Sequence, residues 1–443
     1  MERCLDTKDL IKDLIIDDSE RGIFRYRRST LTSPRILELE WERIFDRCWL
    51  YLGHESEVER PGDYRRRTVA GRPLFFVRGR DDQVRVFLNT CPHRGALICR
   101  HDEGNARVFQ CFYHAWTFST RGELVGTPDS AGYSEDFDRA EMGLRSPPRV
   151  DSYRGFYFVS FNEHVEDLRT FLAGARECLD LVADQSEVGM KVSRGSHRFT
   201  TRSNWKLMSE NGIDGYHLMP VHRTYFEYLS DLITDIPGES VMDTMKSWQP
   251  GPVHALGNGH VMGVSSGSGG RTVAHWHPIF GEDMKEEITG IRERLVEQFG
   301  EERAYRIADN NRFIMIYPNL FIFDLMFTAV RVYWPTAPDR TEVTTWSLVP
   351  GGHSSDLLTR RSDNTLTLTG PGGFALPDDV EAIESCQTGF QAREVEWNDV
   401  SRGMHRQALI SDELQMRVFW RRWHGHLMGL DKVETADRPP KGD

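Results

Sequence analysis

The chain has 443 residues, 39% hydrophobic and 28% charged, enough apolar material for two or three packed domains of an ordinary soluble protein. Its 55 Lys and Arg against 67 Asp and Glu leave a formal charge of −12, which makes a nucleic-acid backbone a poor partner. Seven cysteines are too few and too odd a number for a secreted disulfide scaffold. A reducing cytoplasm suits them better, and there paired Cys and His residues more often hold metal.

The first 18 residues carry Asp and Lys with no long apolar stretch, so no signal peptide is expected. Residues 1–45 read as helical, from Leu37, Leu39, Trp41 and Phe45 set among Glu and Arg. From 46 to 163 the period shifts toward two. Short β-rich runs at 73–77, 84–88, 107–110 and 115–119 alternate with turn signals at 80–82, 102–105 and 120–122, which predicts a small all-β module. Helical spacing returns at Leu168, Phe171, Leu172, Ala175 and Leu179. The remainder, 164–443, mixes helices with strands such as 320–334 and 342–349. Residues 251–270, rich in Gly, Ser and His, read as a long loop and a mobile lid. Residues 313–334 have the length of a membrane span, but Pro318, Asn319, Asp324 and Arg331 interrupt them. Two buried strands joined at Tyr317-Pro318-Asn319 are expected instead, and no membrane segment.

Two constellations carry chemistry. Inside the β module lie Cys91-Pro92-His93-Arg94-Gly95 and Cys111-Phe112-Tyr113-His114, a C-x-H, 17 intervening residues, then C-x-x-H. Each motif offers one thiolate and one imidazole from a turn, giving two Cys to one iron and two His to another, the ligand set of a Rieske [2Fe–2S] centre. A Cys₂His₂ zinc site uses the same atoms but spaces them as Cys–Cys and His–His pairs.

The second constellation is Glu210-Asn211-Gly212-Ile213-Asp214-Gly215-Tyr216-His217-Leu218-Met219-Pro220-Val221-His222. Asp214 and His217 share a helix face. His217 and His222 stand about 140° apart on a regular helix and could not grip one ion there. Pro220 is expected to interrupt the helix, with Met219 extended, so that both imidazoles converge. A carboxylate completes a 2-His-1-carboxylate facial triad, which leaves positions open for O₂ on Fe(II). The candidates follow Pro377, where Asp378 and Asp379 open a helix ahead of Glu381 and Glu384. Charge complementing the helix dipole accounts for Asp378; Asp379 is the better ligand.

With these motifs, and with Cys99-Arg100-His101-Asp102-Glu103-Gly104-Asn105 and Glu396-Trp397-Asn398-Asp399, the chain resembles the α subunits of aromatic ring-hydroxylating dioxygenases over nearly its whole length. It is most similar to the benzoate, toluate, anthranilate, p-cumate and phthalate/terephthalate group. The resemblance implies an α+β fold in which an all-β Rieske domain is set into a catalytic domain with a curved antiparallel sheet flanked by helices, a helix-grip arrangement. It assigns Cys91, His93, Cys111 and His114 to the cluster, and His217, His222 and Asp379 to the iron. Asp214 joins the two centres by hydrogen bonds to their histidines, and Asn211 sits near the iron. Respiratory Rieske proteins add a cysteine to each loop; Ala96 and Tyr113 occupy those places here, as in the oxygenase branch. Leu376-Pro377 ahead of the paired acids, where many hydrocarbon dioxygenases have Glu-Gln, fits the carboxylate group.

The implied activity is cis-dihydroxylation of an aromatic carboxylate with O₂. Electrons come from NAD(P)H through a reductase and, in some systems, a ferredoxin, and pass from His114 through Asp214 to His217 of a neighbouring subunit. The implied assembly is α₃ or α₃β₃ with a small β subunit. Other readings of the same ligands are a monooxygenase that hydroxylates or demethylates an aromatic acid, a protein that only transfers electrons, and a zinc protein. Arg331, in the apolar run Thr328-Ala329-Val330-Arg331-Val332-Tyr333-Trp334, is costly to bury without a partner. Its guanidinium matches a substrate carboxylate, and the resemblance to terephthalate-type enzymes points the same way.

Overall fold

The computed structural model describes residues 7–234, 249–266, 273–277, 280–430, 433 and 437. The chain divides into two compact units, Phe45–Leu168 and a second formed by Met1–Ile44 with Arg169–Asp443.

The first unit is all-β apart from short helical turns. Asp63–Val69, Arg72–Arg78 and Val84–Leu88 form a meander, extended by Glu103–Asn105 on its outer edge. That last strand falls where a turn was expected; Gly104 fits because a Cβ there would strike the Tyr64 ring at 2.8 Å. A second sheet of Val108–Gln110, Thr117–Ser119 and Leu124–Gly126 packs Phe109, Trp116 and Phe118 against Phe75 and Phe87, enclosing Cys91 and Cys111.

The second unit is built on one antiparallel eight-stranded sheet. Its order runs Met190–Val192, Arg340–Pro350, Thr328–Ala337, Leu320–Asp324, Asn311–Ile316, His260–Ser266, Gln249–Gly257, with His197–Thr201 also pairing Arg340–Pro350. The central strands are covered on both faces, which explains an apolar run with little alternation. That run makes three strands rather than two, because a turn at 325–327 separates Asp324 from Thr328.

Two expectations are corrected. Residues 249–266 are a β-hairpin, not a lid, and 267–270 lie outside the described residues. The glycines serve close packing and a tight turn. A Cβ on Gly263 would meet Ile410 at 2.8 Å, and Gly257, Asn258 and Gly259 all turn with positive φ. The N-terminal 45 residues are only partly helical. Ile15–Asp18 and Ile23–Arg27 form a hairpin that pairs with Trp397–Asp399, and helix follows at Pro34–Glu40. The Ile residues favour extended chain, and Gly22 with the Asp18 side chain closes the turn.

Helix Trp205–Ile213 lies against the sheet where Gly212 allows it; a Cβ there would reach the Tyr333 hydroxyl at 3.0 Å. Its start is fixed by Glu40, fully buried, which accepts hydrogen bonds from Trp205 Nε1 at 2.8 Å and Trp423 Nε1 at 2.7 Å and pairs with the buried Lys206. Helix Leu376–Gly389 is tied to the same region. Glu384 accepts from Arg202 N and Nε, both at 2.8 Å, and Gln387 Oε1 accepts from Asn204 N at 3.0 Å.

Removing one partner of a buried ion pair strands the other charge, at a cost of about 3–5 kcal/mol. Glu40→Ala, which orphans Lys206 and two indole N–H groups, is expected to lower the unfolding free energy from urea titration by that order. A shift below about 1 kcal/mol would show that Glu40 does not hold the helix.

Candidate metal centres

The two Cys/His loops are copies of one turn. Cys91 N–H donates to Ala96 O and Gly95 N–H to Cys91 O, both at 2.8 Å; Cys111 N–H donates to Trp116 O at 2.8 Å and Ala115 N–H to Cys111 O at 2.9 Å. The fifth residue of each turn has positive φ, 77° at Gly95 and 57° at Ala115. Both thiols are buried at the loop bases. Burial pushes the Cys91 thiol up, the backbone N–H groups of His93 and Arg94 pull it down, and the adjacent Cys111 raises it again. The His93 and His114 rings lie 4.6 Å apart, and His93 stacks on Trp116 at 4.8 Å with 5° between planes. Arg94 meets His114 Nε2.

Among the described residues, one set of three or more His, Cys, Asp or Glu donors converges on a point, and it is not this one. The four donors here stand as a thiol pair and an imidazole pair. That division suits a binuclear cluster better than a single zinc ion.

The set that does converge is His217, His222 and Asp379. His217 Nε2 and His222 Nε2 are 3.2 Å apart, and each is 3.2 Å from Asp379 Oδ1. A triangle with that edge is a face of an octahedron whose bonds are about 2.3 Å, near the ~2.0–2.2 Å of nitrogen and oxygen ligands to a divalent metal. The break that brings the histidines together does not occur at Pro220, contrary to the sequence reading. Helix Trp205–Ile213 ends before Asp214, which is extended, and a short helix resumes over Leu218–Val221 with Pro220 in its first turn. There the missing N–H of proline costs nothing. The cause of the break lies upstream. Asp214 Oδ1 accepts from Tyr216 N at 2.7 Å, and Gly215 sits where a Cβ would strike the Ile410 carbonyl at 2.8 Å.

Asp214 Oδ2 lies 3.0 Å from His217 Nδ1, which holds the proton on that nitrogen and turns Nε2 toward the triangle. Burial alone would lower the His217 imidazole; the hydrogen bonds to Asp214 and Asp379 outweigh it and lift it to about 9. The same pairing holds the Asp379 carboxyl well below the usual range in spite of burial. Asn211 Nδ2 donates to Asp379 Oδ1 at 3.0 Å and is 3.5 Å from His217 Nε2. Asp214 and His217 also line an open cavity of about 460 Å³ with Glu210, Asn398 and Glu413. Asp378, one residue before the triad carboxylate, is not in the triangle.

Arg331 is 2% exposed, on the sheet face that carries Phe321 and Thr345 as its cross-strand neighbours. Its Nε donates to Thr345 Oγ1 at 2.9 Å, its Cζ lies 4.6 Å over the Phe323 ring, and its Nη2 has no hydrogen-bond partner among the described residues. Asp324 is on the opposite face, paired with Arg312 and bonded by Gln185 Nε2 at 2.7 Å. Two neighbours escaped the sequence reading. Tyr333, two residues from Arg331, follows from the strand period; Trp116 under His93 has no signal in the spacing.

A β unit with paired Cys/His loops, in one chain with an antiparallel sheet whose covering helices carry a two-His-one-carboxylate triangle, defines a class of proteins that use an iron–sulfur cluster and a mononuclear metal. The family models agree. Residues 48–148 match the Rieske [2Fe-2S] domain and residues 190–427 match the ring hydroxylating alpha subunit (catalytic domain). The chain is 36% identical to toluate 1,2-dioxygenase subunit alpha of Pseudomonas putida over 89% of this chain and 85% of that protein. It is 34% identical to the anthranilate 1,2-dioxygenase large subunit of Acinetobacter baylyi, over 87% and 81%. The fold matches naphthalene 1,2-dioxygenase from Rhodococcus sp., with a TM-score of 0.77 at 25% identity over 92% of this chain and 95% of that one.

The chain belongs to the family of ring-hydroxylating dioxygenase α subunits. It is an oxidoreductase whose cofactors are a Rieske [2Fe–2S] cluster and a mononuclear iron, and an oxygenase component that works with electron-donating partners. No helix among the described residues is long and apolar enough to cross a membrane.

About three irons and two acid-labile sulfides per chain are expected. His217→Ala should lose one iron and keep the red-brown cluster absorption, whereas Cys111→Ser or His93→Ala should lose that absorption. Loss of colour in His217→Ala would mean that the two sites are misassigned. The raised His217 imidazole sets a second expectation. Below about pH 9 it carries a proton that a metal must displace, so loading the iron-free protein with Fe(II) at pH 7 should release about one proton. Apparent affinity should then climb as pH rises toward 9. Calorimetry in buffers of different ionisation heat measures this, and no proton release would contradict it.

Proposed function

We propose that this chain binds an aromatic carboxylate beside the iron and inserts both atoms of O₂ into its ring, giving a cis-diol. The observation that carries this reading is the buried Arg331 guanidinium, anchored through Nε, with an Nη2 that has no partner among the described residues, on the sheet face covered by the Trp205–Ile213 helix. A buried cation with no carboxylate beside it is stabilised by an anion brought in from outside. The names of the similar proteins, toluate, 2-halobenzoate and anthranilate dioxygenases, support an acid as that anion.

The residue roles follow. His217, His222 and Asp379 hold the iron, and Asn211 and Asp214 orient two of them. Cys91, His93, Cys111 and His114 hold the cluster, so the unit Phe45–Leu168 carries the cluster and the rest of the chain carries the iron. The iron, with positions left open by a facial triad, supplies O₂ activation, and the cluster supplies electrons. Asp214 holds the Nδ1 proton of His217 through Oδ2, accepts from Tyr216 N through Oδ1, and lines the open cavity. That supports an electron route entering from a neighbouring subunit, and hence an α₃ or α₃β₃ assembly fed by a reductase or ferredoxin in the cytoplasm. Phe321, the cross-strand neighbour of Arg331, and Phe323, whose ring lies under the guanidinium, offer the acid's ring an apolar contact.

Arg331→Gln is expected to raise KM for the acid by at least about tenfold while leaving the methyl ester or amide nearly unchanged. Equal losses for charged and neutral substrates would return Arg331 to a structural role. Asp214→Asn should leave the cluster reducible and nearly abolish product. Cluster reduction and product are measured on the same sample, and wild-type turnover would make Asp214 a simple turn cap.

A further inference from the structure

A second buried donor lies beside Arg331. Tyr333 is 1% exposed, and its hydroxyl finds no acceptor among the described residues. It stands two residues along the same strand, so both side chains leave the same face of the sheet. Burial raises the Tyr333 phenol, the charge of Arg331 and a side-chain hydrogen bond with it lower it, and the Asp379 charge raises it again, so the hydroxyl keeps its proton beside the guanidinium. Its position toward the iron side is fixed independently by Gly212, whose missing side chain leaves the hydroxyl 3.0 Å from where a Cβ would be. Gly212 adjoins Asn211, which donates to Asp379.

Leaving one buried donor unsatisfied costs about 1–3 kcal/mol, and here two stand side by side in an otherwise apolar wall. Phe321 and Phe323 bring no acceptor, and the Thr345 hydroxyl is taken by Arg331 Nε. His197, the other cross-strand neighbour of Thr345, is half-buried, and both burial and the Arg331 charge lower its imidazole, so it adds no competing anion. The arrangement lacks one thing, an acceptor with two oxygens.

We infer that the Tyr333 hydroxyl is the second prong of the substrate site, donating to one carboxylate oxygen of the aromatic acid while Arg331 Nη2 donates to the other. This inference rests on the carboxylate reading of Arg331. A carboxylate held at two points cannot swivel about a single hydrogen bond, so Tyr333 is a positioning residue that fixes which ring edge faces the triad.

The test uses the iron-loaded protein and equilibrium dialysis without O₂, with labelled benzoate and benzamide as probes. Tyr333→Phe, which keeps the ring and removes only the hydroxyl, should weaken benzoate binding about tenfold and shift benzamide by less than about threefold. Arg331→Gln is measured beside it. If Arg331→Gln weakens benzoate selectively and Tyr333→Phe does not, the two-point site is overturned and the Arg331 reading stands. If neither variant discriminates between the probes, the carboxylate reading fails as well. A Tyr333→Phe loss equal for both probes would make the hydroxyl structural and overturn the inference. The product supplies a readout that a packing role would not move: Tyr333→Phe should give a mixture of diol regioisomers from a substituted benzoate where the parent gives one.

Discussion

Three electron-pair donors held 3.2 Å from one another are an unfavourable arrangement unless a cation or protons sit among them. Most of what is specific about the second unit serves to hold that triangle. His217 is turned by Asp214, His222 stands at the joint between two helices, and Asp379 sits in the first turn of a helix locked to residues 202–204 by Glu384 and Gln387. Behind them the buried Glu40, with Trp205, Lys206 and Trp423 around it, pins the start of the helix that leads to the site. A charge buried this deeply adds little net stability. It specifies one position for the helix, which is what a site with tolerances of a fraction of an ångström requires.

The triangle and the proposed anion site make complementary demands on the same sheet. Metal ligands come from helices and their breaks, where a few residues can turn sharply. Arg331 and Tyr333 come from the middle of a strand buried on both faces, where side chains cannot wander. Phe321 is buried under the helix at Gly212 and the Phe323 ring lies beneath the Arg331 guanidinium, apolar surface that suits an aromatic ring. The guanidinium accounts for the one polar end such a ring would need.

How much of this was legible in the sequence depended on the physical origin of each feature. Ligand types at fixed spacing are local, so the Cys/His pairs and the Asp214-x-x-His217 to His222 run identified the donors, and the structure brings His217, His222 and Asp379 together. The location of the chain break was not legible. Pro220 looked like the breaker, yet a proline in a first helical turn is harmless, and the break is made by Gly215 under a carbonyl 195 residues away in sequence, at Ile410. The 251–270 segment failed for the same reason. Its glycines read locally as looseness, but Gly263 is there because Ile410 presses on it. The N-terminal hairpin depends on Trp397–Asp399 as its third strand, a partner that no local window contains. Buried arginines divided cleanly. Arg312 has the carboxylate of Asp324, whereas Arg331 has no carboxylate partner among the described residues, and strand parity alone was enough to separate Asp324 from Arg331.

The central claim is that the triad iron and the anion site act on one molecule, an aromatic acid, and add both atoms of a single O₂ to its ring. The most direct measurement is turnover of benzoate and its methyl- and amino-substituted relatives under ¹⁸O₂, with mass analysis of the product. The account predicts a cis-diol acid carrying two ¹⁸O atoms. A phenol carrying one ¹⁸O, or turnover confined to neutral arenes, would contradict it.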